Sequence, residues 1–254
     1  MKRFRIFAGP NGSGKSTIIK EIRQTVIKGR RIDFGVYVNA DDISALLLVN
    51  SFDFSKYTLP EVTLVQLVSF ATEWGLFRNG FDEMRLGKAI SIADGKLRLI
   101  DTEWKDQVAQ LLSNFVINEL LNAGKKCSME TVFSHESKVR YMQHANALGY
   151  KVYLYFVATA HPDINVARVA ARVAQRGHNV PEDRIRDRYN KSLNLMYDAA
   201  QEAYQAYFFD NSGEQRRHEQ VAHFKIVGKK KRWDPFEAQL LPDWFVKYYV
   251  NKQI

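Results

Sequence analysis

The stretch FRIFAGPNGSGKST at residues 4–17 constrains this chain more than any other. A short β-prone run ends in Gly9, and Gly9, Pro10, Asn11, Gly12, Ser13, Gly14, Lys15 and Ser16 then satisfy GxxxxGK[ST], with Thr17 next. This is a P-loop. Its glycines let backbone N–H groups curl around a phosphate, its lysine reaches the β and γ phosphates, and the Ser16 hydroxyl is suited to Mg²⁺. The helix that should follow, with Ile18, Ile19, Ile22 and Val26 on its apolar side and Gly29 as its stop, points its positive dipole end at the same place. Residues 9–17 are therefore expected to bind ATP with Mg²⁺.

The rest of the chain repeats a strand-helix alternation. GVYVNADDIS, residues 35–44, reads as a buried strand running into two carboxylates and a new helix. Carboxylates at the C-terminal end of such a strand face the ligand crevice, so Asp41 is expected to be the general base, with Asp42 as helix cap or support. A helix over 105–122 stops at Gly124 and leads to a strand, KKCSMETVFS, in which Glu130 stands where P-loop folds keep the acidic partner of Mg²⁺. A helix over 137–148, a turn at Gly149 and the apolar run KVYLYFVAT follow, then strands in YFFDNS and HFKIVG. The pattern predicts an α/β fold: a parallel P-loop NTPase or kinase-like sheet with helices on both faces. A helical and hairpin insertion, about residues 49–104, interrupts it after the second strand. Pro60 is expected to open its helix and Asp94-Gly95 to turn its hairpin. Trp74, Phe77 and Trp104 there either contact substrate or, the preferred reading, form the insertion's own core. One domain, 1–228, with a tail at 229–254 packed on it, accounts for the whole.

The segment ARVAARVAQRGHNVPEDRIRDRY, residues 167–189, carries six arginines. Arg168, Arg172 and Arg176 recur on one face of a helix, apart from an apolar ridge of Val166, Val169 and Val173. The chain turns at Gly177 and Pro181, near His178, and a second helix places Arg184 and Arg188 on a shared face. Two arginine-bearing helices joined by a turn, about residues 163–196, have the form of a kinase lid that closes guanidinium groups onto a transferring phosphoryl group.

Composition sets the outer limits. The formal charge is +9, with 37 Lys plus Arg against 28 Asp plus Glu, which biases the surface toward anionic partners. The single cysteine, Cys127, excludes an internal disulfide framework and a Cys-based zinc cluster. No run approaches the ~20 apolar residues of a membrane span, so a cytoplasmic protein is expected.

Taken together, GPNGSGKST, VNADDI, METVFS, GYKVYLYFVAT, RVAARVAQRGHNVPEDRIRDRYNKSLNLM and FFDNS resemble the zeta-toxin-like P-loop kinases. The resemblance implies ATP-dependent phosphorylation of a hydroxyl, in the best-known members that of UDP-N-acetylglucosamine, with inhibition by a small antitoxin protein. It assigns Lys15 and Ser16 to phosphate and Mg²⁺, Asp41 as base, Glu130 as the acidic residue after the third strand, and Arg168, Arg172 and Arg176 as lid arginines. The chain differs in having Thr131 and Val132 where zeta toxins place a glycine and a substrate-binding threonine. A regulatory ATPase, and a nucleic-acid-directed kinase or binder suggested by the net charge and GKKKRW at 228–233, are the alternative classes, although that lysine run is read first as a solvated turn.

Overall fold

The structure, a computed structural model, describes residues 2–27, 29–59, 61–78, 80–175, 180–213 and 218–253. In chain order the elements are β1 (Arg3–Ala8), α1 (Lys15–Gln24), β2 (Val26–Ile27), β3 (Arg30–Arg31), β4 (Val36–Asn39), α2 (Ala40–Val49), β5 (Phe52–Asp53), α3 (Leu64–Glu73), α4 (Glu83–Ala89), β6 (Ile90–Ala93), β7 (Lys96–Leu99), α5 (Lys105–Asn122), β8 (Cys127–Thr131), α6 (Ser137–Ala147), β9 (Lys151–Ala158), α7 (Pro162–Ala174), α8 (Glu182–Asn194), α9 (Met196–Gln201), β10 (Gln205–Asp210), β11 (Glu219–Val227), β12 (Lys230–Trp233) and α10 (Asp243–Tyr248). The class is α/β with a mostly parallel sheet, as the alternation predicts. The chain divides into two compact units, residues 1–34 with 130–254, and residues 35–129.

In the first unit the strand order is β12-β11-β10-β9-β1. β1 runs parallel to β9, from Arg3 opposite Lys151 to Ala8 opposite Phe156, and β9 runs parallel to β10 up to Ala158 opposite Asp210. Their C-terminal ends therefore lie together, and in parallel sheets that is where ligands bind. The near-continuous burial of β1 and β9 reflects apolar side chains covered on both faces, with α1 against β1 and α6 and α9 against β9. β11 and β12 add antiparallel pairs at the edge. The GKKKRW run, expected as a solvated turn, is largely strand: Lys230 to Trp233 pair with β11, and Trp233 packs on Phe224 and Tyr249 rather than offering a free ring. The C-terminal Phe245 and Tyr249 stack on each other against Phe208 of β10, so the tail packs on this unit.

Helix α1 is shorter than its apolar spacing suggests. It ends at Gln24, and Val26, expected on its buried side, is exposed in the small β2–β3 hairpin. Two residues of strand pairing outcompete one more helical turn here because no core lies beneath Val26 to reward it.

In the second unit α2 packs along α5, and Ser44 Oγ donates to Asp106 Oδ1 at 2.8 Å. The insertion is built into this unit's core. Phe70 meets Trp74 and Phe115, Phe81 meets Phe77 and Trp104, and Trp74 is buried, which matches the reading of these aromatics as core. α3 begins not at a proline but behind Thr63, whose side chain accepts from Gln66 N–H while Gln66 reaches back, a capping box; Pro60 lies outside the described residues. The expected hairpin is β6–β7, with Asp94 at φ 51° and Gly95 at φ 69°, the two positive values a primed turn requires. Cys127 is buried, and burial pushes its thiol up to about 12, so it stays a protonated, inert packing group.

Candidate active site

The P-loop is formed by what its backbone alone permits. Gly9 has φ 140°, and a Cβ there would sit 2.0 Å from the Val157 carbonyl oxygen. Gly14, the left-handed N-cap of α1, leaves room for Asn211, whose Nδ2 would lie 2.2 Å from a Cβ. Any side chain at either position collides with backbone or with a packed amide. The loop closes with Ser13 N–H donating to Pro10 O at 3.2 Å, while Gly12 lies against Asn165 of α7 and Thr17 N–H donates to Gly14 O. Lys15 is buried, and its Nζ donates to Gly9 O at 2.9 Å and Pro10 O at 3.0 Å, across the mouth of the loop. Ser13 Oγ is buried without a hydrogen-bond partner. A cationic lysine, an unpaired hydroxyl and a left-handed turn of backbone at a helix N-terminus fit a phosphate chain.

Ser16 Oγ donates to Glu130 Oε1 at 3.1 Å, joining the start of α1 to the end of β8. Hydroxyl and carboxylate are hard oxygen donors suited to Mg²⁺. Among the described residues no cluster of three or more His, Cys, Asp or Glu could hold a metal by itself. A pair of oxygens without a full protein cage is what Mg²⁺ uses when phosphates supply the remaining ligands.

The segment expected to form a lid contains two helices, α7 and α8, with Val169, Val180 and Ile185 buried in one cluster and Val166 and Val173 packed alongside. Tyr189 OH donates to Thr159 O at 2.7 Å, and Thr159 Oγ1 hydrogen-bonds Asn165 Oδ1, which ties the lid to the end of β9. Arg186 bridges the helices, with Asp163 Oδ1 at 2.6 Å and Glu182 Oε1 at 2.8 Å. Asp163 is held below the usual carboxylate range, first by the hydrogen bond from Arg186. Two arginines of the predicted stripe, Arg168 and Arg172, differ in their surroundings. Arg168 donates to the Asn211 carbonyl at 2.6 Å and the Gly213 carbonyl at 3.0 Å, Arg172 is exposed, and Arg176, with Gly177 and His178, lies outside the described residues. From α8, half-buried Arg188 reaches Asn11 Oδ1 of the P-loop at 3.4 Å. That contact brings the α8 arginine to the P-loop.

No family model matches the chain. A curated relative, an uncharacterized protein of Haemophilus influenzae, is 36% identical over 61 residues, 24% of this chain and 44% of that protein. Among solved structures, the AvrRxo1-ORF1:AvrRxo1-ORF2 complex with sulphate ions contains a chain that superposes with a TM-score of 0.55 at 14% identity, over 94% of this chain and 62% of the other. The native AvrRxo1-ORF1:-ORF2 complex gives 0.50 at 14% identity over the same shares. The chain has the zeta-toxin-like P-loop kinase fold. It spans less than two thirds of the length of these relatives.

Within this zeta-toxin-like fold Asp41 and Asp42 occupy the first turn of α2, in the second unit, both exposed. Neither is the cap. Asn39 is, its side chain accepting from Asp41 N–H at 3.0 Å, because the helix begins at Ala40, ahead of both carboxylates. After Glu130 the chain turns through Phe133, buried at φ 60°, with Thr131 Oγ1 accepting from its N–H at 3.2 Å. A bulky residue in the left-handed region is strained. This is the stretch where Thr131 and Val132 replace the zeta-toxin residues.

Two side chains that the sequence did not single out grip the last turn of the P-loop. Asn211 Nδ2 donates to Ser13 O at 2.8 Å, and His218 Nε2 lies 3.2 Å from Gly14 O. The one signal pointing to Asn211 is its place just beyond a parallel strand's C-terminal end. Among the described residues no helix is long and apolar enough to cross a membrane.

Proposed function

We propose that the chain is an ATP-dependent phosphotransferase that moves the γ-phosphoryl group of ATP to a hydroxyl of a small molecule, a nucleotide sugar such as UDP-N-acetylglucosamine. The observation that carries this reading is the joined arrangement of Lys15 across the loop mouth with Ser16 bonded to Glu130. In this reading the N–H groups of residues 9–17 bind the phosphates, and the Lys15 ammonium swings from the Gly9 and Pro10 carbonyls to the β and γ oxygens. Ser16 and Glu130 would hold Mg²⁺, which when bound offsets negative charge on the phosphate oxygens. Asp41 accepts the proton of the attacking hydroxyl as its oxygen bonds phosphorus and the bridging oxygen leaves with ADP. Arg172, Arg176 and Arg188 bring positive charge from the lid to the equatorial oxygens and exclude water, while Arg168 orders the loop after β10. The reading includes a cytoplasmic protein whose partner is an inhibitory antitoxin protein; its support is the resemblance of the motifs. Packing of Trp233 and pairing of the lysine run into β12 weigh against a nucleic-acid surface there.

The test is incubation of purified protein with γ-labelled ATP and separate pools of nucleotide sugars, nucleosides and RNA. Label is expected in the nucleotide-sugar pool. Label only in free phosphate would replace this reading with a regulatory ATPase, and label in RNA with a nucleic-acid kinase.

A further inference from the structure

Asp210 ends β10 and organises everything that follows it. Its Oδ1 accepts from Ser212 N–H at 2.8 Å, and its Oδ2 from Ser212 Oγ at 2.9 Å and from Trp244 Nε1 at 2.6 Å. A carboxylate bonding the N–H two residues on folds the backbone into an Asx-type turn. Ser212 Oγ in turn accepts from Ala160 N–H at 2.8 Å, and Asn211 N–H donates to Ala158 O at 2.9 Å. The turn so fixed does two things at once. It aims the Asn211 amide at Ser13 O, and it presents the Asn211 and Gly213 carbonyls to Arg168 of the lid. Trp244 belongs to α10, a six-residue helix in the C-terminal segment, and is buried. Its ring could pack there as well without an N–H; its indole donor is the one C-terminal side-chain group among the described residues that reaches Asp210.

We infer that Trp244 and Asp210 are positioning residues for the nucleotide, holding the turn at Asn211 that braces the P-loop on one side and the lid arginine on the other. The inference rests on the reading of residues 9–17 as a nucleotide site and gives the C-terminal segment a role in it. Asn211 packs against Gly14 closely enough to leave no room for a Cβ, so loosening the turn releases the P-loop carbonyl at Ser13. A bond from a neutral donor to a carboxylate is among the stronger hydrogen bonds, and its loss should show as nucleotide affinity.

The experiment measures the dissociation constant of Mg-adenylyl imidodiphosphate by calorimetry for the full chain and for Trp244→Phe, Asn211→Ala and the double variant. Trp244→Phe removes the donor and keeps most of the ring. Each single variant is expected to bind about 10-fold more weakly, the size of one lost hydrogen bond. The double variant should bind hardly more weakly than either single one, because both act through the same turn. Phosphotransfer at saturating ATP should recover toward the unaltered rate, an effect on KM more than on kcat. A residue that only fills the core would lower Tm and leave the dissociation constant of the folded protein unchanged, which would overturn the inference. Should Trp244→Phe fail to fold, Asn211→Ala with unaltered affinity overturns it equally. Absence of binding by the unaltered chain would sink the nucleotide reading itself; binding by that chain with unaltered affinity in the variants sinks only the role of the turn.

Discussion

At Gly9 a Cβ would meet the Val157 carbonyl at 2.0 Å, whereas between α7 and α8 the buried contact is a small apolar cluster of Val169, Val180 and Ile185 supplemented by exposed ion pairs around Arg186. The P-loop is shaped by backbone sterics; the lid is held by side chains. Exposed ion pairs contribute little and the apolar cluster is small, which fits the movement that the proposed lid role requires. A phosphate cradle has to be in place before the nucleotide arrives, while a lid has to move. On the proposed reading the difference in construction matches a difference in duty, and it predicts that damage to the cradle is all-or-none and damage to the lid graded.

The sharpest break should come at Lys15. Lys15→Ala removes the ammonium that spans the loop mouth, and no neighbouring group replaces it. Phosphotransfer from γ-labelled ATP is expected to fall to background while circular dichroism still shows a folded α/β protein. Near-normal transfer would mean that the loop is not the phosphate cradle. Next come the lid arginines. Charge grows on the equatorial oxygens in the transition state, so Arg172→Ala, Arg176→Ala and Arg188→Ala should lower kcat, by ~1,000-fold for the most central of them, with much smaller changes in ATP affinity. Equal losses in affinity and kcat would mean that these arginines bind the ground state and that the lid does not close on the reaction. If instead transfer is untouched and RNA binding loses about one unit of salt slope per arginine, the stripe is a nucleic-acid patch. Third, Asp41→Asn should retain ATP binding and lose phosphotransfer by ~100-fold or more, the range of a general base. A larger loss in Asp42→Asn would exchange the roles of the pair.

Sequence alone carries the cradle because every determinant of it is local. The glycines, the lysine and the start of α1 lie within nine consecutive residues, and the flanking strand and helix have the right periods. The β6–β7 hairpin was legible for the same reason: Asp94-Gly95 can occupy the positive-φ positions of a primed turn. Legibility ends where tertiary pairing overrides local preference. Val26 continues the apolar spacing of α1 yet lies in a hairpin, and the lysine run that reads as solvated turn pairs into β12. Asn39, three residues before Asp42, takes the cap expected of that aspartate. Asn211 and His218 reach the P-loop from the far end of the chain, and apart from the place of Asn211 just beyond a parallel strand nothing in their local sequence announces that reach. Cradle residues are therefore read from a motif, and their braces only from the fold.

His218 sharpens the comparison with the smallest effect, since it adds a buried titratable brace to the cradle. Burial pushes its imidazole below the usual value, with Arg168 adding to the depression and Glu21 and the Gly14 carbonyl opposing it. Its Nε2 lies against Gly14 O, so the neutral ring donates from Nε2 and leaves Nδ1, buried and without a hydrogen-bond partner, as the site a proton would enter. The unfolded chain takes up that proton near pH ~6.5, and the folded chain resists it until a lower pH. In the window between those two values the unfolded state binds more protons, so stability rises with pH and is lost progressively as the pH falls from about 6.5 toward the folded value. His218→Gln keeps a donor for Gly14 O and removes the titration. Denaturant unfolding of both proteins from about pH 5 to about pH 8 should give curves that run parallel at the alkaline end and separate below about pH 6.5, with the unaltered chain losing stability faster. All other titrating groups are shared, so the difference isolates this ring. Curves that stay parallel throughout would show that His218 carries no depressed titration, and would leave Asn211 as the brace that matters on this side of the P-loop.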